Sequence, residues 1–153
     1  MAKAQHLGTL LVVILGLFFV SACSDGDSNN SGPKAALLPI VFVHGQSGSA
    51  QQFETQAMRF TSNDYPQELL FAFEYDTDQE DNPLADLDAF LDGVLAETGA
   101  REVYAIGHSR GTSVWTSYLE DPAFNGPAKV AKYANIDGRS PAGLPGGVPT
   151  IGI

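Results

Sequence analysis

From residue 37 onward, apolar and polar positions fall into alternating blocks that read in turn as strands and helices. Leu37 to Val43 (LLPIVFV) is a short unbroken apolar run, β-branched toward its end. It predicts a buried strand, with Pro39 tolerated near the start. Behind it, Phe53, Ala57 and Phe60 recur at helical spacing, so Ser49 to Phe60 predicts a helix with Ser49 as its N-cap. Leu69 to Tyr75 (LLFAFEY) predicts the next strand, and Asp76 to Asn82 (DTDQEDN) an acidic loop. The clearest helix is Pro83 to Thr98. Leu84, Leu87, Leu91, Val94 and Leu95 form one stripe with Phe90 beside it, Pro83 sits at the first turn, and Gly99 ends the run. Val103 to Ile106 predicts a strand, Thr112 to Leu119 a helix, and Val130 to Ile136 (VAKYANI) a strand. The final GVPTIGI reads as the start of another strand. Such alternation predicts an α/β fold, a mostly parallel sheet with helices on both faces.

The segment before residue 37 has a different character. Lys3 and His6 form a short basic start, and Leu7 to Val20 is almost wholly apolar but too short for a membrane span. Residues 1–22 therefore predict a signal peptide. Val20-Ser21-Ala22-Cys23 resembles the lipobox of bacterial lipoproteins, which implies lipidation of Cys23, a membrane anchor and a place in the cell envelope. A plain signal peptide, with secretion, is the other reading. Residues 23–36 hold Ser, Asp, Asn and Gly with almost no large apolar side chain and predict a flexible tether. The organisation expected is thus signal peptide 1–22, tether 23–36 and one α/β domain over 37–153.

A net charge of −10 excludes nucleic acid as a partner, because phosphates would be repelled. The single cysteine excludes an internal disulfide. Asp76, Asp78, Glu80 and Asp81 invite a calcium reading, but the loop lacks the glycine and closing glutamate of a calcium-binding loop. A solvated acidic loop is expected, with no metal and no organic cofactor.

The chemistry is carried by Gly107-His108-Ser109-Arg110-Gly111, set between a predicted strand and a predicted helix. A serine on so sharp a turn is held at strained backbone angles above the sheet. Its neighbours two residues away on either side come so close that only glycine fits. The helix N-terminus below offers N–H groups to a developing negative charge. A second element is His44-Gly45-Gln46-Ser47-Gly48-Ser49, a polar loop directly after the first strand.

Strand-His-Gly followed by Gly-His-Ser-Arg-Gly resembles the α/β-hydrolase superfamily, in its lipase and esterase branch. PIVFVHGQSGSAQQFETQAMRF, VYAIGHSRGT and VAKYANIDG are similar to the N-terminal part of secreted bacterial and archaeal triacylglycerol lipases with a C-terminal lipid-binding domain. The resemblance implies an ester hydrolase working through an acyl-enzyme on Ser109, with acylglycerols as substrate. It implies oxyanion donors in the backbone N–H groups of Gln46 and Arg110, and an acid at Asp137, at the end of the strand after the nucleophile strand. A turn role for Asp137 in Asp-Gly is the alternative. His44 is expected to order its loop, with the role of catalytic base as the alternative. His108 would flank the serine. No histidine follows Asp137 in this sequence, and the family pattern continues with further strands. The chain is therefore expected to be part of a longer lipase, inactive alone. A non-catalytic envelope lipoprotein using the same fold as a binding or scaffold module is the rival reading. Acyltransferases and thioesterases share the same elbow.

Overall fold

The computed structural model describes residues 37–78 and 83–153. The signal peptide, tether and Cys23 expected before residue 37, and Glu80 and Asp81 of the acidic loop, lie outside the described residues.

The apolar run after Pro39 forms β1 (Ile40–Val43), fully buried in the interior of the sheet. Its alternating side chains divide the core. Ile40 and Phe42 pack on one face with Phe53. Val41 and Val43 join the larger cluster on the other, with Leu87, Leu91, Trp115 and Tyr118. The smaller face is covered by a 3₁₀ turn, Ala50–Phe53, that runs into α1 (Glu54–Thr61). Phe42 stacks on Phe53 at a centroid distance of 4.8 Å. The single helix expected from Ser49 to Phe60 is thus split. Ser49 is extended and makes no side-chain cap; its hydroxyl donates instead to Gln51 Oε1 at 2.5 Å.

β2 (Leu70–Phe73) is shorter than its apolar run because Gln67–Leu69 closes a 3₁₀ turn before it. α2 (Leu84–Thr98) buries Leu84, Leu87, Leu91 and Val94, starts one residue after Pro83, and ends where Gly99 takes φ 68°. β3 (Val103–His108) runs two residues further than its apolar run. α3 (Arg110–Glu120) starts two residues earlier than its periodicity suggested, so the turn between them is the single residue Ser109. α3 buries Trp115, whose indole N–H donates to Ile106 O at 3.2 Å. A short α4 (Gly126–Lys129) leads into β4 (Val130–Ile136), and β5 (Thr150–Gly152) adds a fifth strand. The strand order is β2-β1-β3-β4-β5, and every pairing is parallel. The expected fold class is observed, with β5 protecting the edge of β4.

α2 and α4 are tied by a charged cluster. Lys129 Nζ donates to Asp88 at 2.8 Å and to Asp92 at 2.5 Å, and the Tyr118 hydroxyl donates to Asp88 at 2.6 Å. Partial burial works against the Asp88 charge, but the hydrogen bonds from Lys129 and Tyr118 outweigh it and hold the carboxyl below its usual range. Burial likewise opposes the Lys129 charge, and the two carboxylates outweigh it and raise the ammonium above its usual range. A carboxyl lowered on folding stabilises above its unfolded value, and that contribution fades as pH falls through the folded one. A raised ammonium stabilises below its unfolded value and loses this as pH rises through the folded one. The cluster is solvent-screened, so Lys129→Met is expected to cost only about 1 kcal/mol at pH 7. The gap between wild type and variant, read from urea midpoints, should narrow below about pH 4 and above about pH 10.5. A gap that stays constant over that range would assign the effect to packing of the lysine stem.

Candidate active site

The site lies at the C-terminal ends of the parallel strands, where this architecture collects functional side chains. At its centre Ser109 has φ 51° and ψ −119°, a backbone that L-residues rarely adopt. Two features hold it there. Its N–H donates to Ile136 O at the end of β4 at 3.0 Å, and its carbonyl accepts from the Thr112 N–H at 3.0 Å and the Thr112 hydroxyl at 2.6 Å. A Cβ on Gly107 would lie 2.8 Å from Gly111 O, and one on Gly111 only 2.2 Å from Val43 O. The turn closes only because neither residue has one. Among the described residues no hydrogen bond holds Ser109 Oγ. Arg110 begins α3, so its backbone N–H is at the positive end of that helix.

The loop after β1 passes directly over the elbow. A Cβ on Gly45 would be 3.0 Å from Ser109 Cβ and 3.2 Å from His108 Nδ1. His44 is fully buried, its ring stacked on Tyr75 at 4.5 Å. Its Nδ1–H donates to Gly45 O at 3.0 Å, and Nε2 faces Glu74 Oε1 at 3.1 Å. Both nitrogens are therefore engaged, one by the loop backbone and the other by Glu74. Glu74 also accepts from Ala50 N–H at 2.7 Å, so one carboxylate grips the loop at both ends. The Tyr75 hydroxyl donates to His44 O at 2.8 Å. Burial pushes the Tyr75 phenol up, and the nearby Arg110 charge acts in the opposite sense.

His108 flanks the serine. The Gln52 side-chain amide donates to His108 Nδ1 at 2.6 Å, which leaves the ring proton on Nε2, and Nε2 lies 3.9 Å from Asp137 Oδ2. Asp137 follows β4 directly, one residue beyond the carbonyl that holds the Ser109 amide. Its φ is 52°, its N–H donates to Ile153 O at 2.9 Å, and its carboxylate is 85% exposed. The structure thus gathers Ser109, His108, Gln46, Arg110 and Asp137 around one turn. It sets His44 below them and adds Gln52, Glu74, Tyr75 and Thr77. Of these last four, only Glu74 carried a signal in the sequence: a lone charge at the C-terminal end of an apolar strand.

Residues 37–119, spanning β1 to α3 and so both the loop and the elbow, match the lipase (class 2) family. The chain belongs to that family. Among solved structures, this class 2 lipase chain is similar to the Bacillus licheniformis lipase BlEst2 in its mature form. The TM-score is 0.58 at 26% identity, over 71% of this chain and 43% of that one. The propeptide form of BlEst2 gives a TM-score of 0.57 at 26% identity, over 71% and 24%. The gene lin2722 product of Listeria innocua shares the fold, with a TM-score of 0.53 at 17% identity over 66% and 51%. The class 2 lipase chain therefore spans less than half the length of mature BlEst2.

Proposed function

We propose that Ser109 is the nucleophile of a carboxylic ester hydrolase acting on lipid esters, acylglycerols first. The observation that carries this reading is the strained backbone of Ser109, kept although it costs stability, at the end of β3 and over a helix N-terminus. In the reaction Oγ attacks the ester carbonyl and its proton passes to a base. The carbonyl oxygen becomes an oxyanion facing the backbone N–H groups of Gln46 and Arg110. Collapse expels the alcohol, which takes the proton back and leaves an acyl-Ser109. Water then attacks it by the reverse route to release the acid. The histidines of the described residues are both occupied: His44 between Gly45 and Glu74, His108 between Gln52 and Asp137. The base is therefore assigned to an imidazole from outside the described residues, to be oriented by Asp137, whose carboxylate is 85% exposed at the rim and lies 3.9 Å from His108 Nε2. Cys23, by its lipobox-like setting, would anchor the enzyme in the cell envelope.

Chemical rescue tests this. A fluorophosphonate should label the chain slowly, on the tryptic peptide Glu102–Arg110. Free imidazole should accelerate labelling by about tenfold or more, in a saturable way, by acting as an external base. Fast labelling without imidazole would return the role of base to His44 or His108. A folded chain that stays unlabelled at any imidazole concentration would overturn the hydrolase reading in favour of a binding or scaffold module.

A further inference from the structure

The loop Gln46-Ser47-Gly48 is exposed, and Ser47 has φ 54°, a left-handed backbone for a residue with a side chain. Such a loop tends to wander, yet it carries one of the two N–H groups assigned to the oxyanion. Its bonds converge on one residue from another loop. The buried Thr77 hydroxyl accepts from Ser47 N–H at 3.0 Å, and the Thr77 carbonyl accepts from Gln46 Nε2 at 3.0 Å. The same carbonyl accepts from the Arg110 guanidinium, and the same guanidinium nitrogen donates to Gln46 Oε1. Both ends of the Gln46 amide are thus used in a closed triangle of Gln46, Thr77 and Arg110.

We infer that the Arg110 side chain is a positioning residue for the oxyanion hole. Arg110 supplies one N–H from its own backbone, and through its guanidinium it fixes the loop that supplies the other. The two donors are then set at one spacing by a single residue immediately after the nucleophile. Arginine suits this because it is always charged, and its fixed planar donor array bonds two oxygens with little loss of freedom. The inference rests on the hydrolase reading for its catalytic meaning, but not for the clamp itself.

The test uses the full chain, with Arg110→Ala and Gln46→Leu. Amide hydrogen exchange over residues 45–48 should speed up by about tenfold or more in both variants, with the sheet and α3 unchanged. Fluorophosphonate labelling in the presence of imidazole should lose about ten- to hundredfold in its maximal rate in Arg110→Ala, with little change in half-saturating probe concentration. Guanidinium ion at millimolar concentration should restore part of that loss in Arg110→Ala and do nothing for wild type. Exchange over 45–48 unchanged within twofold would overturn the clamp. Normal loop exchange in wild type with no labelling at all would count against the nucleophile, while the exchange result would still judge the clamp.

Discussion

Ser109→Gly is expected to abolish fluorophosphonate labelling and, at the same time, to make the protein more stable. The first effect removes the hydroxyl that the probe would phosphonylate, so the loss should be complete within detection. The second follows from the backbone. At φ 51° and ψ −119° a serine Cβ is crowded, at a cost of about 1–3 kcal/mol. Glycine reaches those angles freely but loses about 0.5–1 kcal/mol more backbone entropy on folding. Nothing else is forfeited, because no hydrogen bond among the described residues holds Ser109 Oγ. The balance is about 0–2.5 kcal/mol in favour of glycine, a rise in Tm of up to about 10 °C for a domain of this size. Calorimetry of the two proteins, with intact-mass detection of the probe adduct, reads both effects. A lower Tm for the glycine variant would show that the turn is not strained, and with that the main support for the nucleophile would go.

Gly111→Ala is expected to be strongly destabilising. The new Cβ would lie 2.2 Å from Val43 O and 2.7 Å from both Val43 C and His44 O, backbone atoms at the end of β1 and of the residue after it. No side chain can swing away to make room. Either α3 lifts from β1 or the elbow opens, and either movement should cost more than about 3 kcal/mol, above the ordinary range for overpacking. Gly93→Ala is the natural control. Gly93 is also inside a helix, α2, but its Cβ would meet nothing within 4 Å. There the substitution should add about 0.5–1 kcal/mol of stability. Urea midpoints for the pair should move in opposite directions. A Gly111→Ala protein within about 1 kcal/mol of wild type would mean that α3 and β1 are further apart than described.

Much of this was legible in the sequence because it rests on local chemistry. The leucine stripe of α2, the apolar blocks of β1 and β4, and the Gly107–Gly111 pair each report their own constraint at short range. Boundaries failed where a bond from elsewhere decided them. Ser109 alone makes the turn between β3 and α3 because β4 receives its N–H, and no periodicity in residues 112–119 carries that information. The expected Ser49 cap gave way to a 3₁₀ turn, with the Ala50 N–H taken by Glu74, 24 positions along. Thr77 looked like part of an acidic loop. Its carbonyl and hydroxyl acquire meaning only when β2 lies beside β1 and brings them to Gln46. The roles of single residues such as Asp137 are a different matter, since a turn aspartate and an orienting aspartate look alike in sequence and both occupy strand ends.

The strand order has a kinetic consequence. Every pairing in the sheet is parallel, so no two strands can meet through a tight hairpin, and Ile40 of β1 must wait for Leu70 on one side and Tyr104 on the other. Folding dominated by such distant pairings is slow, on the order of milliseconds to seconds. The elbow comes late in that sequence of events, because Ser109 is locked only when Ile136 of β4 accepts its N–H. During synthesis the serine leaves the ribosome well before the strand that bends it into shape. On the proposed role of Ser109, its labelling in the presence of imidazole would mark the end of folding, and refolding followed by that labelling should trail refolding followed by tryptophan fluorescence.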